Sequence, residues 1–72
     1  MKFKNKFYGD FVELVFDDQI DTVYFKSDGD RYLKVELGDI TDEDGVNEDN
    51  LDIVGLVPLD RTYFYENYTR VL

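Results

Sequence analysis

The hydrophobic and polar residues of the first sixteen positions alternate, which is the two-residue period of a half-buried β-strand. Over residues 2–7, three lysines occupy one face, and Phe3 and Phe7 occupy the other. A second alternating run follows over residues 11–16 and offers Val12, Leu14 and Phe16 to one side. We interpret Gly9, which lies between the two runs, as a bulge or bend within one long strand.

A turn signal, Asp28-Gly29, separates two further alternating runs, residues 20–26 and 31–37. Asp-Gly supplies the positive φ angles that a tight hairpin turn requires. We therefore predict a β-hairpin here, and in its first strand Val23 and Phe25 alternate with Thr22, Tyr24 and Lys26. The predicted core-facing side chains of the hairpin are Val23, Phe25, Leu33, Val35 and Leu37.

The pattern is different over residues 38–52, which carry seven acids, no base and few apolar residues. This composition predicts a loop. Residues 53–57 resume as a buried strand, which Pro58 either closes or marks as an edge strand.

The last segment, residues 60–72, fits two structures. As a helix, it would begin at an Asp60 N-cap, and its apolar stripe would include Phe64 and Tyr68. As a strand, it would alternate its aromatic residues between two faces. The β propensity of residues 62–65 favours the strand there, with one helical turn in the tail as an open alternative.

Composition supports a β-rich fold, because Val, Ile, Thr and aromatic residues are abundant and alanine does not occur. With 72 residues, the protein has room for one domain, residues 1–72, and 43% hydrophobic residues make a packed core feasible. We predict a mostly β fold: a single small antiparallel sheet or an SH3-like or OB-like barrel of five or six strands, to which a short C-terminal helical turn could be added.

Several kinds of chemistry are excluded by residues that the sequence lacks. Without cysteine there is no disulfide, zinc ribbon or thiol nucleophile, and without histidine there is no imidazole base or ligand. No glycine-rich phosphate loop occurs. We therefore expect neither an enzyme nor a bound cofactor.

The acidic residues also invite comparison with a calcium loop. With Gly45 at the invariant glycine position of an EF-hand, Ile40 and Leu51 fall at the first and last ligand positions, so that motif fails. A weak, irregular calcium site of a regulator remains an alternative, with Asp39, Asp42, Asp44 and Glu48 as its carboxylates.

Localisation signals are lacking as well. The N-terminus has no apolar run of signal-peptide length, and the sequence has no run long enough to span a membrane. We expect a cytoplasmic protein with no membrane partner.

The net charge suggests what the protein binds. A value of −9 argues against direct contact with nucleic acid and favours a basic protein surface as partner. Carboxylates two residues apart on an extended backbone lie about 6–7 Å apart, a row of charge comparable to that of phosphates along DNA. The predicted function is therefore a non-catalytic protein-binding module, and in its sharpest form a nucleic-acid-mimicking inhibitor of a basic nucleic-acid-binding protein, of the type that phages and mobile elements encode. The predicted partner-binding residues are Asp39, Asp42, Glu43, Asp44, Glu48, Asp49 and Asp52.

The aromatic C-terminal segment offers an alternative function. An assembly subunit could self-associate as a homo-oligomer through an apolar surface in that segment. The candidate interface residues are Tyr63, Phe64, Tyr65 and Tyr68.

Overall fold

Five antiparallel strands form the central sheet of the protein. The computed structural model describes residues 1–17, 21–27 and 34–72. In sequence order its elements are β1 (Lys2–Asn5), β2 (Phe11–Phe16), β3 (Thr22–Ser27), a 3-10 turn (Leu37–Asp39), β4 (Thr41–Asp42), β5 (Gly45–Val46), α1 (Glu48–Val54), β6 (Val57–Asp60), α2 (Arg61–Asn67) and β7 (Tyr68–Arg70). The strand order in the central sheet is β6-β3-β2-β1-β7, and β4 and β5 form a separate small hairpin.

The mostly β prediction is confirmed in its antiparallel-sheet form. Every neighbouring pair in the sheet is antiparallel, so the two edge strands, β6 and β7, run in the same direction. Helix α2 connects these two edges and crosses one face of the sheet. Among the described residues the edge strands do not pair with each other, so the sheet is open rather than closed into a barrel.

The first hydrophobic core lies between the sheet and α2. Phe64 of α2 has no exposed surface, and its ring centroid lies 5.2 Å from that of Phe3 and 5.5 Å from that of Phe25. Tyr68 stacks on Phe64 at 4.7 Å. The buried members of this core are Phe3, Val12, Leu14, Val23, Phe25 and Phe64.

A second hydrophobic core lies on the opposite face of the sheet. Tyr24, which points away from the first core, packs here against Ile40, Leu51 and Leu56. The alternation correctly separates Tyr24 from Val23 and Phe25, but it did not indicate that residues after position 36 cover this second face. Strand β3 is consequently buried on both sides.

The register of β2 shifts near its end. Pairing with β3 passes from Leu14 opposite Phe25 directly to Phe16 opposite Tyr24, which leaves Val15 as a bulge. Phe16 therefore packs on the second core, with its ring 6.4 Å from that of Tyr24, instead of sharing the face of Leu14 as the alternation predicted.

The N-terminal strand is shorter than predicted, because the backbone turns at Asn5. The Oδ1 atom of Asn5 accepts hydrogen bonds from the backbone N–H groups of Phe7 (2.8 Å) and Tyr8 (2.9 Å). Gly9 then adopts a positive φ of 78°. Gly9 thus belongs to a reversal between two antiparallel strands rather than a bulge within one, and Phe7 is 72% exposed instead of facing the core.

Only part of the predicted hairpin lies within the residues that the structure describes. Its Asp28-Gly29 turn and Leu33 lie outside the described residues. Strand β3 confirms the first arm, but residues 34–36 are not a strand and Leu37 begins the 3-10 turn. Val35 is half-buried against the second core, whereas Leu37 is 39% exposed, so its predicted core position is wrong.

Residues 38–57 also differ from the prediction. The loop expected over residues 38–52 contains the 3-10 turn, the β4–β5 hairpin and most of α1. The strand expected over residues 53–57 is instead the end of α1, a turn at Gly55 and the start of β6. Pro58 does mark an edge strand, as the sequence suggested.

For residues 60–72 the helix interpretation is correct over Arg61–Asn67, and the strand interpretation of residues 62–65 is wrong. Asp60 is the N-cap, and its Oδ1 accepts a hydrogen bond from the backbone N–H of Tyr63 at 3.1 Å. The tail is strand β7 rather than a helical turn.

The conformation of Gly55, the glycine that ends α1, can be tested by two substitutions. Gly55 has a φ of 73°, and its N–H donates to the carbonyls of Leu51 and Asp52. Gly55→Ala should lower the free energy of unfolding by about 1 kcal/mol, because an L residue is strained at positive φ. Gly38→Ala is the control: no atom lies within 4 Å of the added Cβ and Gly38 has no positive φ, so urea unfolding should show little loss of stability. Equal losses of stability in both variants would contradict the left-handed conformation of Gly55 at the end of α1.

Candidate partner-binding surfaces

The acidic segment, residues 36–52, is folded against the sheet. Ile40 has no exposed surface and Leu51 is 3% exposed, so both anchor the segment in the second core. The backbone N–H of Asn47 donates to the carbonyl of Ile40 at 2.7 Å, which closes the β4–β5 hairpin onto the 3-10 turn. The carboxylates of the segment therefore project from a structured layer.

Two of the seven predicted partner-binding acids have local structural roles. Asp39 accepts a hydrogen bond from the backbone N–H of Glu36 at 2.8 Å. Asp42 accepts from the backbone N–H of Asp44 at 2.9 Å and from Nδ2 of Asn47 at 3.1 Å. Substituting either acid would disturb the turn as well as remove a charge.

The other five acids have exposed side chains, and no hydrogen bond or ion pair of their carboxylates is found within the described part of the protein. They are Glu43, Asp44, Glu48, Asp49 and Asp52. Glu48 and Asp49 lie in the first turn of α1, where negative charge is stabilised by the helix dipole. These five are the carboxylates that a partner can contact without unfolding the segment.

An exposed apolar residue, which sequence reasoning assigned to a buried strand, lies among these acids. Ile53 on α1 is 72% exposed and follows Asp49 by one helical turn. Val57, at the start of β6, is 46% exposed. The signal that could have revealed this helix is its pair of caps, Asn47 before it and Gly55 after it.

The acidic segment does not form a recognisable cation site. Over residues 1–17, 21–27 and 34–72 the acidic side chains form no group of three or more that could hold a metal ion. The weak calcium-site alternative thus gains no support from the arrangement of Asp39, Asp42, Asp44 and Glu48, because two of these carboxylates accept hydrogen bonds from neighbouring turns.

The four aromatic residues proposed as a self-association interface are divided between core and surface. Tyr63 is 55% exposed and Tyr65 is 40% exposed. Phe64 is fully buried in the first core and is inaccessible to a partner, and Tyr68 is half-buried against it. Self-association through this segment would therefore rest on the two outer tyrosines.

A second group of aromatic residues, which shares Tyr63 and Tyr68 with the first, forms a groove beside α2. Its volume is about 310 Å³. The two most exposed rings of this groove, Phe7 (72%) and Tyr8 (83%), come from the β1–β2 turn and were not among the predicted site residues. The residues that line the groove are Asn5, Phe7, Tyr8, Asp10, Phe25, Leu59, Tyr63, Asn67 and Tyr68.

Comparisons with known proteins identify no family for this protein. No protein-family model, curated protein or solved structure matches the sequence or the fold. Among the described residues, no helix has the length and apolar character needed to cross a membrane.

Proposed function

We propose that this protein is a non-catalytic protein-binding module that recognises a basic protein surface through its acidic segment. The observation that carries the proposal is that five exposed carboxylates project from a segment anchored by the buried residues Ile40 and Leu51. A charged surface whose backbone is already ordered loses less conformational entropy when it binds. A flexible acidic loop would lose more.

The charge distribution supports a basic partner. Residues 36–52 carry eight acids and no base, and the whole protein has a net charge of −9. A field of one sign raises the rate of encounter with a partner of opposite charge. The exposed Ile53 adds an apolar contact within the acidic surface, because such residues supply affinity that exposed charges alone do not.

In its sharper form, the proposal is that the segment imitates a nucleic-acid backbone. Glu48 and Asp52 lie one helical turn apart, which places their Cβ atoms about 5–6 Å from each other. Such a row of carboxylates could occupy a cationic channel that normally holds phosphates, and the protein would then inhibit a nucleic-acid-binding protein.

The proposal is tested by capture from an extract of the cells that make the protein. The immobilised full-length protein is compared at about 50 mM and about 500 mM salt, because screening weakens contacts between exposed charges. We expect a basic protein that is retained at low salt and released at high salt. Capture that does not change with salt would contradict an acidic interface.

A second arm separates the two forms of the proposal. Duplex DNA and RNA are added in excess to the captured complex. If the protein is a nucleic-acid mimic, the nucleic acid displaces it, because both occupy the same cationic surface. If the complex persists, the inhibitor form is wrong and the broader protein-binding form is retained.

A further inference from the structure

The aromatic groove lies between packed aromatic rings and the hydrogen-bonded β1–β2 turn. At the back, Tyr68 stacks on Phe64 with ring centroids 4.7 Å apart and lies 5.6 Å from the ring of Phe25. At the front, Oδ1 of Asn5 holds the turn that carries Phe7 and Tyr8 through two hydrogen bonds. The exposure of these two rings is therefore a feature of an ordered turn.

The polar lining of the groove presents hydrogen-bond acceptors. Nδ2 of Asn67 donates one hydrogen bond to the carbonyl of Tyr63 at 2.8 Å, and its Oδ1 is an acceptor that a ligand can use. Asp10 adds a carboxylate. Among the described residues that line the groove, none is lysine or arginine.

Aromatic faces and acceptors together select a particular kind of ligand. The negative face of an aromatic ring attracts a cation, and a guanidinium group combines a planar cation with five donors and no acceptor. A volume of about 310 Å³ is at the lower end of ligand pockets, of the order of 300–1,000 Å³, and suits one amino-acid side chain better than a large cofactor.

We propose that this groove binds an arginine side chain of a protein partner, with the guanidinium group against the rings of Tyr8 and Tyr63 and hydrogen-bonded to Asp10 and Asn67. The groove lies on the α2 face of the sheet, whereas the acidic segment packs on the opposite face. The site is therefore distinct from the acidic surface and does not depend on the function proposed for that surface. It adds a specific pocket to a protein whose net charge of −9 already attracts cations.

The test uses the full-length protein and a blocked arginine, Nα-acetyl-arginine amide, as the probe in an amide NMR titration. We expect saturable shifts at Phe7, Tyr8, Gly9 and Asn67, with a dissociation constant of about 1–10 mM for a single residue. Nα-acetyl-citrulline amide has nearly the same shape without the charge. It should bind at least about tenfold more weakly, because it makes neither a cation–π contact nor a charge-assisted hydrogen bond to Asp10.

Variants then locate the site. Tyr8→Ala combined with Tyr63→Ala should abolish saturable binding, and Asp10→Asn should weaken it by at least about threefold. Tyr65→Ala is the control, because Tyr65 is an exposed tyrosine of the same helix that does not line the groove. If the double variant fails to fold, the conservative Asp10→Asn variant keeps the test decisive.

Three results would overturn the proposal. The first is equal binding of the arginine and citrulline probes. The second is the absence of saturable shifts up to about 50 mM probe, a concentration well above the expected dissociation constant. The third is shifts confined to residues 36–52, which would place the cation on the acidic segment.

Discussion

Replacing Phe64 with alanine is expected to remove most of the folding stability of the protein. Phe64 is fully buried, and its ring contacts those of Phe3, Phe25 and Tyr68. Truncating a buried phenylalanine costs about 3–5 kcal/mol, because contacts are lost and a cavity remains. Small domains have total stabilities near the lower end of about 5–15 kcal/mol, so this loss is comparable to the whole.

The neighbouring residue provides the control for this substitution. Tyr63 is 55% exposed on the same helix, so Tyr63→Ala should change the free energy of unfolding by less than about 1 kcal/mol. Urea unfolding followed by circular dichroism measures both. A cost below about 1 kcal/mol for Phe64→Ala would contradict the packing of α2 on the sheet.

The second large effect is expected from the neutralised variant, in which Glu43, Asp44, Glu48, Asp49 and Asp52 become the corresponding amides. Removing five charges from −9 leaves a net charge of −4. Affinity for the captured basic partner should fall about 10–100-fold at low salt, mainly through slower association, because electrostatic steering is reduced. Surface plasmon resonance at several salt concentrations measures this loss.

Stability should be nearly unaffected in the neutralised variant. Loss of the favourable helix-dipole contacts of Glu48 and Asp49 is offset by relief of repulsion between like charges, so the net change should stay within about 1 kcal/mol. Asp39 and Asp42 are kept, because both accept backbone hydrogen bonds.

A variant with three charges removed elsewhere, compared with Glu48→Gln, Asp49→Asn and Asp52→Asn together, distinguishes a local effect from one of total charge. Glu13→Gln, Asp21→Asn and Glu66→Gln together remove three exposed charges outside the acidic segment. Partner affinity should then fall by less than about threefold. Unchanged affinity of the neutralised variant at every salt concentration would show that the acidic segment only increases solubility.

The strands near the N-terminus were predictable because alternation is a local property. Val12, Leu14, Val23 and Phe25 are buried as their spacing predicts. The burial of Tyr24 was not predictable, because the buried residues that cover it, Ile40, Leu51 and Leu56, lie sixteen or more positions further along the sequence. Alternation within a strand indicates which residues share a face, but it does not indicate whether the opposite face is also covered.

The two helices were missed or misjudged for different reasons. Helix α1 has seven residues and buries only Leu51, so its hydrophobic period is too weak to stand out from an acidic loop. Helix α2 contains Thr62 and three consecutive aromatic residues, whose β propensity is outweighed by the burial of Phe64 against the sheet. In both cases the N-cap residue, Asn47 or Asp60, indicated the helix better than the hydrophobic pattern did.

The candidate sites, like the fold, could be predicted from the sequence only in part. Exposure of the acidic residues follows from their charge, and the sequence identified all five that remain open to a partner. The structural roles of Asp39 and Asp42 depend on turns that the sequence did not predict. The groove was missed because its rings come from the β1–β2 turn, β3 and the C-terminal part of the protein, which only the folded sheet brings together.

The acidic segment is a folded layer, and its carboxylates project from a backbone of one conformation. Native-state hydrogen exchange of the backbone amides of Asn47, Leu51 and Leu56 tests it most directly, because each donates to a carbonyl within this layer. We predict protection of these amides close to that of the β3 amides of Val23 and Phe25. Exchange at the rate of an unfolded peptide, with β3 still protected, would contradict the claim and return the segment to a solvated loop.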